Sequence, residues 1–257
     1  MSALQILELK LACPEGVKMP QSTGSLLHGV LMERIDKDYA DLMHKQQLRP
    51  YSQYIYFDKQ KNTLIWRLAA LTEHAKQELL NAAFEMPAQI YLKHRDSNVQ
   101  VLGKEWLPPI DYEGLAEKYF TQDFPEKYIE LKIMTSCSFK SDGNYVIFPQ
   151  NHLLFGSLVR KWNCFADNNR LDERGLASDL SQQIFVAGYN LSLQTFALES
   201  TRIPAFRGTY TLGLKNNVMA NKIIAMLCAY AEYSGIGIKT ALGMGGVQVR
   251  MLRRRNE

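Results

Sequence analysis

The spacing of hydrophobic positions changes several times along the chain, and each change marks an element. Leu4 to Ala12 alternates weakly and predicts a strand, with Leu7, Leu9 and Leu11 interleaved by Glu8 and Lys10. After Pro20, with Ser22 and Thr23 available as caps, Leu27, Leu31, Ile35 and Tyr39 recur every four residues and predict one helix from Gly24 to about His44. Pro50 bars its continuation. Tyr51 to Asp58 and Thr63 to Ala70 read as a hairpin across Lys59-Gln60-Lys61-Asn62. Thr72 is an N-cap for a helix ending at Phe84, with Leu79, Leu80 and Ala83 on one side. Ala88 to Leu92 and Asn98 to Trp106 supply one or two more strands, so the first half runs β, α, β, β, α, β.

Ile110 to Lys127 is polar and aromatic, contains Pro125, and reads as a linker. Beyond it the order returns. Tyr128 to Phe139 and the short Asn144 to Phe148 are strands, and Pro149 to about Ala166 is a helix with Leu153, Leu154, Leu158 and Trp162 on its apolar side. Ile184 to Leu198 and Phe206 to Leu214 alternate; a helix over Asn217 to Tyr233, a glycine-rich loop and a strand from Val247 to Met251 follow. The expected fold class is α+β: two tandem ferredoxin-like (RRM-like) units, each an antiparallel sheet with helices on one face, over residues 1–120 and 121–257.

At 257 residues, 46% hydrophobic and 22% charged, the chain has ample material for a core. It shows neither a signal peptide nor an apolar stretch of membrane-spanning length, so a cytoplasmic protein without a membrane partner is expected. Cys13, Cys137, Cys164 and Cys228 form no CxxC pair, so buried free thiols are expected, with no metal and no cofactor. A net charge of +4 does not by itself demand nucleic acid, but Lys239 and the tail Arg250, Arg253, Arg254 and Arg255 gather positive charge near one loop.

That loop runs Gly235-Ile236-Gly237-Ile238-Lys239-Thr240-Ala241-Leu242-Gly243-Met244-Gly245-Gly246 and joins a helix to a strand. A nucleotide-hydrolase phosphate loop needs the reverse order, with Lys followed by Ser or Thr after its last glycine, and a dinucleotide fingerprint needs a helix after the glycines. What remains is a backbone able to take positive φ and offer N–H donors and one lysine to a polyanion, or else a loop packed tightly against a sheet.

The combination resembles the CRISPR-associated endoribonucleases of the RAMP superfamily, which cut precursor CRISPR RNA within each repeat. Gly235 to Gly245 is similar to that family's glycine-rich signature. Phe148-Pro149-Gln150 with Leu154-Phe155-Gly156-Ser157-Leu158 and Arg160-Lys161-Trp162-Asn163 resembles the helix opening its second half, and Ala205-Phe206-Arg207-Gly208 the strand before its last helix. Leu27-His28-Gly29, Met43-His44 and Leu48-Arg49-Pro50-Tyr51-Ser52 follow its first helix and the next loop. The resemblance implies metal-independent attack of a ribose 2′-hydroxyl on the adjacent phosphate, giving a 2′,3′-cyclic phosphate and a 5′-hydroxyl. It also implies CRISPR repeat RNA as partner, to which family members can stay bound while joining an effector complex, as a monomer or homodimer.

Such a reaction needs proton transfer and a cation beside the phosphorane. Of His28, His44, His74, His94 and His152, the resemblance points first to His44, at a helix C-terminus that favours imidazolium. Lys45 and Arg49 beside it are candidate cations, Arg49 also a candidate to hold the loop, and His28 is the second candidate for proton transfer or for packing. Members with a Tyr-His-Lys set carry the tyrosine on the first helix; Met32 stands at the corresponding place and Tyr39 on the core side, so a two-histidine set is the substitute. Gly235, Gly237, Lys239, Thr240, Gly243 and Gly245 are the expected RNA-binding loop, with Arg160, Lys161, Arg202 and Arg207 as basic candidates, each equally readable as solvated surface. The alternatives are a noncatalytic RAMP-type subunit that only holds RNA, and an unrelated protein binding a small phosphorylated ligand.

Overall fold

Two antiparallel sheets carry the molecule, and both are built from the strands that the alternation marks. The computed structural model describes residues 3–12, 19–58, 60, 62–167, 169–171, 174–198 and 201–254; Cys13 and Arg255 lie outside these. The first unit contains β1 (Ala3–Ala12), α1 (Thr23–Met32), α2 (Lys37–Lys45), β2 (Tyr51–Asp58) and β3 (Thr63–Ala70). A continuous helical segment follows, made of α3 (Glu73–Ala75), a π turn (Lys76–Leu80) and α4 (Asn81–Phe84), then β4 (Gln89–Leu92), a 3₁₀ turn (Lys93–Arg95) and β5 (Ser97–Trp106). Its sheet order is β2-β3-β1-β5-β4, with β6 (Ile110–Asp111) pairing the start of β1.

The second unit contains α5 (Tyr112–Phe120), β7 (Tyr128–Cys137), the small ribbon of β8 (Phe139–Ser141) and β9 (Asn144–Val146), α6 (Asn151–Phe165) and α7 (Leu176–Gln182). It closes with β10 (Ile184–Leu198), β11 (Thr201–Leu214), α8 (Val218–Ser234), a 3₁₀ turn (Thr240–Leu242) and β12 (Val247–Leu252). Its sheet order is β10-β11-β7-β12. Second strand, third, first and last is the ferredoxin-like order, and it occurs in both sheets, with β4 added as a hairpin on the edge of the first.

Several local expectations are corrected. The single helix from Gly24 to His44 is two, because Asp36 adopts an extended ψ of 136° and its Oδ1 accepts the Tyr39 N–H at 3.0 Å, capping α2 afresh. The linker over Ile110–Lys127 contains α5, capped by Asp111 Oδ1 accepting the Gly114 N–H at 2.7 Å, and Tyr112, Leu115 and Tyr119 bury its inner face. The strand expected to reach Phe139 ends at Cys137, and α7 was not anticipated. Thr72 caps its helix as expected, accepting the Ala75 N–H at 3.2 Å. Cys137 and Cys228 are buried free thiols, but Cys164 is exposed.

Each unit has its own core. Trp66, Leu7, Leu9, Leu27 and Leu79 lie in the first, Trp162, Phe155, Ile224 and Tyr210 in the second, and Ala241 of the glycine-rich loop is buried in the first unit's core. Among the described residues no helix is long and apolar enough to cross a membrane.

Candidate active site

The glycine-rich loop leaves α8 at Gly235 and is pinned from both units. Lys161, on the inner face of α6, donates from Nζ to Ser234 O at 2.8 Å, Gly235 O at 3.2 Å and Thr240 Oγ1 at 3.3 Å. From the other unit, Gln53 Nε2 donates to Ala241 O at 3.1 Å and to Gly24 O at 2.9 Å, while its Oε1 accepts the Trp66 indole N–H at 2.8 Å. The loop backbone also pairs with the end of β7, Ile238 N–H donating to Ser138 O and Gly245 N–H to Ser136 O. Two glycines are dictated by this fit: at positive φ, a Cβ on Gly237 would overlap Ser138 O and one on Gly245 would overlap Ile236 O.

Most of the loop is therefore interior. Gly235, Thr240, Gly243 and Gly245 are buried, Gly237 is half-buried, and Lys239 is exposed with φ of 56°, at the tip. Lys161 is not solvated surface: it is 6% exposed, and burial, with the Arg160 charge assisting, lowers its pKa from 10.5 to about 7. The sequence offers Lys161 only as one basic candidate among several and does not single out Gln53; the positioning role of each exists only through contacts distant along the chain.

Facing the tip is the end of α2. His44 and Lys45 lie in its last turn, both exposed, where the helix dipole favours positive charge. Arg49 returns to this end and donates from Nε to Met43 O at 2.8 Å, bracing the last turn, while its charge acts on both His28 and Tyr51. His28, one helix earlier, is 5% exposed with Nε2 2.7 Å from Tyr51 Oη. Burial, then the Arg49 and His44 charges, lower its pKa from 6.5 to about 3, so it is neutral near pH 7.

Two cavities open beside these groups. One of about 440 Å³ is lined by His44, Lys45, Arg49, Arg160, Lys161 and Lys239, with Gly237 and Thr240 on its wall. The other, about 740 Å³, lies along α1 and is lined by His28, Gly29, Met32, His94 and Leu198 among others. His44, Arg49 and Lys239 line both, so they form the seam. Arg202 and Arg207 are exposed on β11 and line neither; Arg250 pairs with Glu130 at 3.5 Å, away from the seam. Tyr39 is buried against His74, ring centroids 4.6 Å apart, and lines neither cavity. Among the described residues, no group of three or more His, Cys, Asp or Glu is arranged to hold a metal ion.

The structure thus gathers one exposed imidazole and four exposed or half-exposed cations, Lys239 at the loop tip among them, around one small basic opening. That set can hold a phosphodiester and move a proton beside it.

The chain is also similar to known proteins along most of its length. Residues 131–247 match the family model described as CRISPR-associated endoribonuclease Cas6. The chain is 30% identical over 226 residues to a CRISPR-associated endoribonuclease Cas6 of Streptococcus thermophilus, covering 86% of this chain and 89% of that one. It is 30% identical over 238 residues to one of Mycobacterium tuberculosis, covering 91% and 74%. Among solved structures, a Thermus thermophilus Cas6 product complex superposes with a TM-score of 0.76 at 23% identity, over 97% of this chain and all (100%) of that one. A structure described as a RAMP protein binding different RNA substrates superposes at 0.63 with 12% identity, over 96% and 99%.

Proposed function

Because the chain belongs to the CRISPR-associated endoribonuclease Cas6 family, we propose that it cuts precursor CRISPR RNA at its repeats, without a divalent metal, by internal attack of a ribose 2′-hydroxyl. The observation that carries this reading is the seam, where an exposed His44 at a helix C-terminus meets Arg49 and Lys239 at the mouth of both cavities.

In the proposed step the 2′-oxygen bonds to phosphorus, the P–O5′ bond breaks, the 2′-hydroxyl proton leaves, and a proton is delivered to O5′. The products are a 2′,3′-cyclic phosphate and a 5′-hydroxyl. His44 is the proton-transfer group, and Lys45, Arg49 and Lys239 supply charge to the phosphorane. His28 takes a supporting part: an imidazole with a pKa near 3 is a weak base, and its Nε2 is engaged with Tyr51. Lys239 and Arg160 contact the RNA backbone, Gly237 and Thr240 shape the wall it meets, and Gly235, Gly243, Gly245 and Lys161 hold the loop in place. Arg207 lies outside both cavities and contributes at most to longer-range attraction.

The test is cleavage, in EDTA, of labelled RNA carrying the repeat of the neighbouring CRISPR array, with wild-type and His44→Ala protein and end-group analysis of the products. One cut leaving a cyclic phosphate, lost in the variant with binding retained, is the expected result. A cut that needs divalent metal would overturn the mechanism, and binding without any cut would make the protein an RNA-holding subunit.

A further inference from the structure

The larger cavity along α1 contains a feature that packing does not explain. α1 holds two glycines within Thr23–Met32. Gly24 has close neighbours: a Cβ there would lie in ordinary van der Waals contact, 3.5 Å from Gly243 Cα and from Gln53 Oε1. Gly29 has none of this kind. It is exposed, helical and free of positive φ, and a Cβ there would meet nothing within 4 Å. A glycine inside a helix lowers its stability relative to alanine, yet here it faces open space in the cavity wall.

The lining around it differs from that of the smaller cavity. Leu26, Val30, Met32, Leu198 and Leu242 give part-exposed apolar surface, and Ser25, His94 and the Lys93–Glu33 ion pair, 2.8 Å long, give polar groups. The smaller cavity gathers Lys45, Arg49, Arg160, Lys161 and Lys239 on its lining. A flat ligand with apolar faces and a polar edge, attached to an anion held at the seam, suits the larger one.

We propose that the α1 cavity receives the unpaired nucleobase of one nucleotide flanking the cut phosphate, and that Gly29 keeps its wall open. This rests on the ribonuclease reading. The anion at His44, Arg49 and Lys239 fixes where the base must enter, since these residues line both cavities.

The experiment first maps the cut with wild-type protein; no cut in any repeat RNA would sink the ribonuclease reading and this one with it. Two further RNAs then carry an abasic ribose on one or the other side of the cut. The wild type is expected to cut one of them roughly tenfold or more slower than intact RNA, the scale of losing one stacked base. Gly29→Leu is expected to cut intact RNA slower to a similar degree and to lose the preference for the base. Its melting temperature should stay at or above that of wild type, because a helix former replaces glycine in open space. Gly29→Ala, which fills less of the cavity, should show the same direction with a smaller effect. Equal cutting of all three RNAs by the wild type, or an unchanged base preference in Gly29→Leu and Gly29→Ala, overturns the pocket while leaving the ribonuclease reading intact.

Discussion

The two units share a strand order and differ in the helix that follows their first strand. In the first unit that connection is broken at Asp36 into α1 and α2, and the second piece ends in an exposed histidine. In the second unit α6 runs unbroken for 15 residues and turns a lysine inward. The break brings a proton-transfer candidate to the surface at a helix end. The unbroken helix holds a cation beneath the glycine loop, where three oxygen acceptors fix it. A repeated fold has thus been used once to expose an ionisable group and once to bury one.

Replacing His44 should break this contrast most severely. His44→Ala is expected to slow cutting by at least about a hundredfold, the lower range for losing an acid–base group, with little change in RNA affinity. Single-turnover rates and filter binding measured side by side would check it; an equal loss in both would move His44 from chemistry to binding.

Lys161→Met tests the buried side. It strands the Ser234 carbonyl and leaves the Gly235 carbonyl with only the Ser234 hydroxyl as side-chain donor, and a loss of about 1–3 kcal/mol in denaturant unfolding is expected, together with weaker RNA binding. The pH dependence has a definite sign. With the folded pKa near 7 and the ordinary value 10.5, the unfolded chain binds more proton between them, so this lysine's contribution to stability is complete above 10.5 and is lost as pH falls through 7. The methionine variant should lack that slope; a retained slope would assign it to other groups.

His28 sharpens the comparison within the first unit. Its pKa is about 3 against 6.5 unfolded, so its contribution to stability is complete above 6.5 and is lost as pH falls through 3. His28→Phe should flatten the acid limb of the stability profile across that window and leave the Tyr51 hydroxyl without its 2.7 Å partner, a cost of about 1–2 kcal/mol near neutral pH. Urea titrations at stepped pH would measure both.

The smallest effect belongs to Lys239. Its exposed side chain does not hold the fold, so Lys239→Ala should leave stability unchanged, weaken RNA binding several-fold, and reduce the slope of log affinity against log salt by about one. An unaltered salt slope would remove it from the phosphate contacts.

Much of this was legible one element at a time. The hairpin of β2 and β3 has the bounds read from its alternation, and Thr72 caps the helix that follows it. The misreadings were also local. Asp36 ahead of Tyr39 is a cap signal hidden inside a four-residue repeat, and Tyr112, Leu115 and Tyr119 form a helical stripe masked by the flanking prolines and polar residues.

By itself, the sequence determined most of the strands and helices, the tandem plan and the glycines of the loop, because periodicity and backbone freedom are properties of neighbouring residues. Tertiary structure alone decided which groups would be charged, free or buried. Lys161 meets Ser234 across 73 residues and Gln53 meets Ala241 across 188, so the burial and hydrogen bonds that set their roles come from segments far away in the chain. The same holds for His28, neutral because Tyr51 and Arg49 fold over it, and for Gly29, whose missing side chain acquires meaning only from the space in front of it.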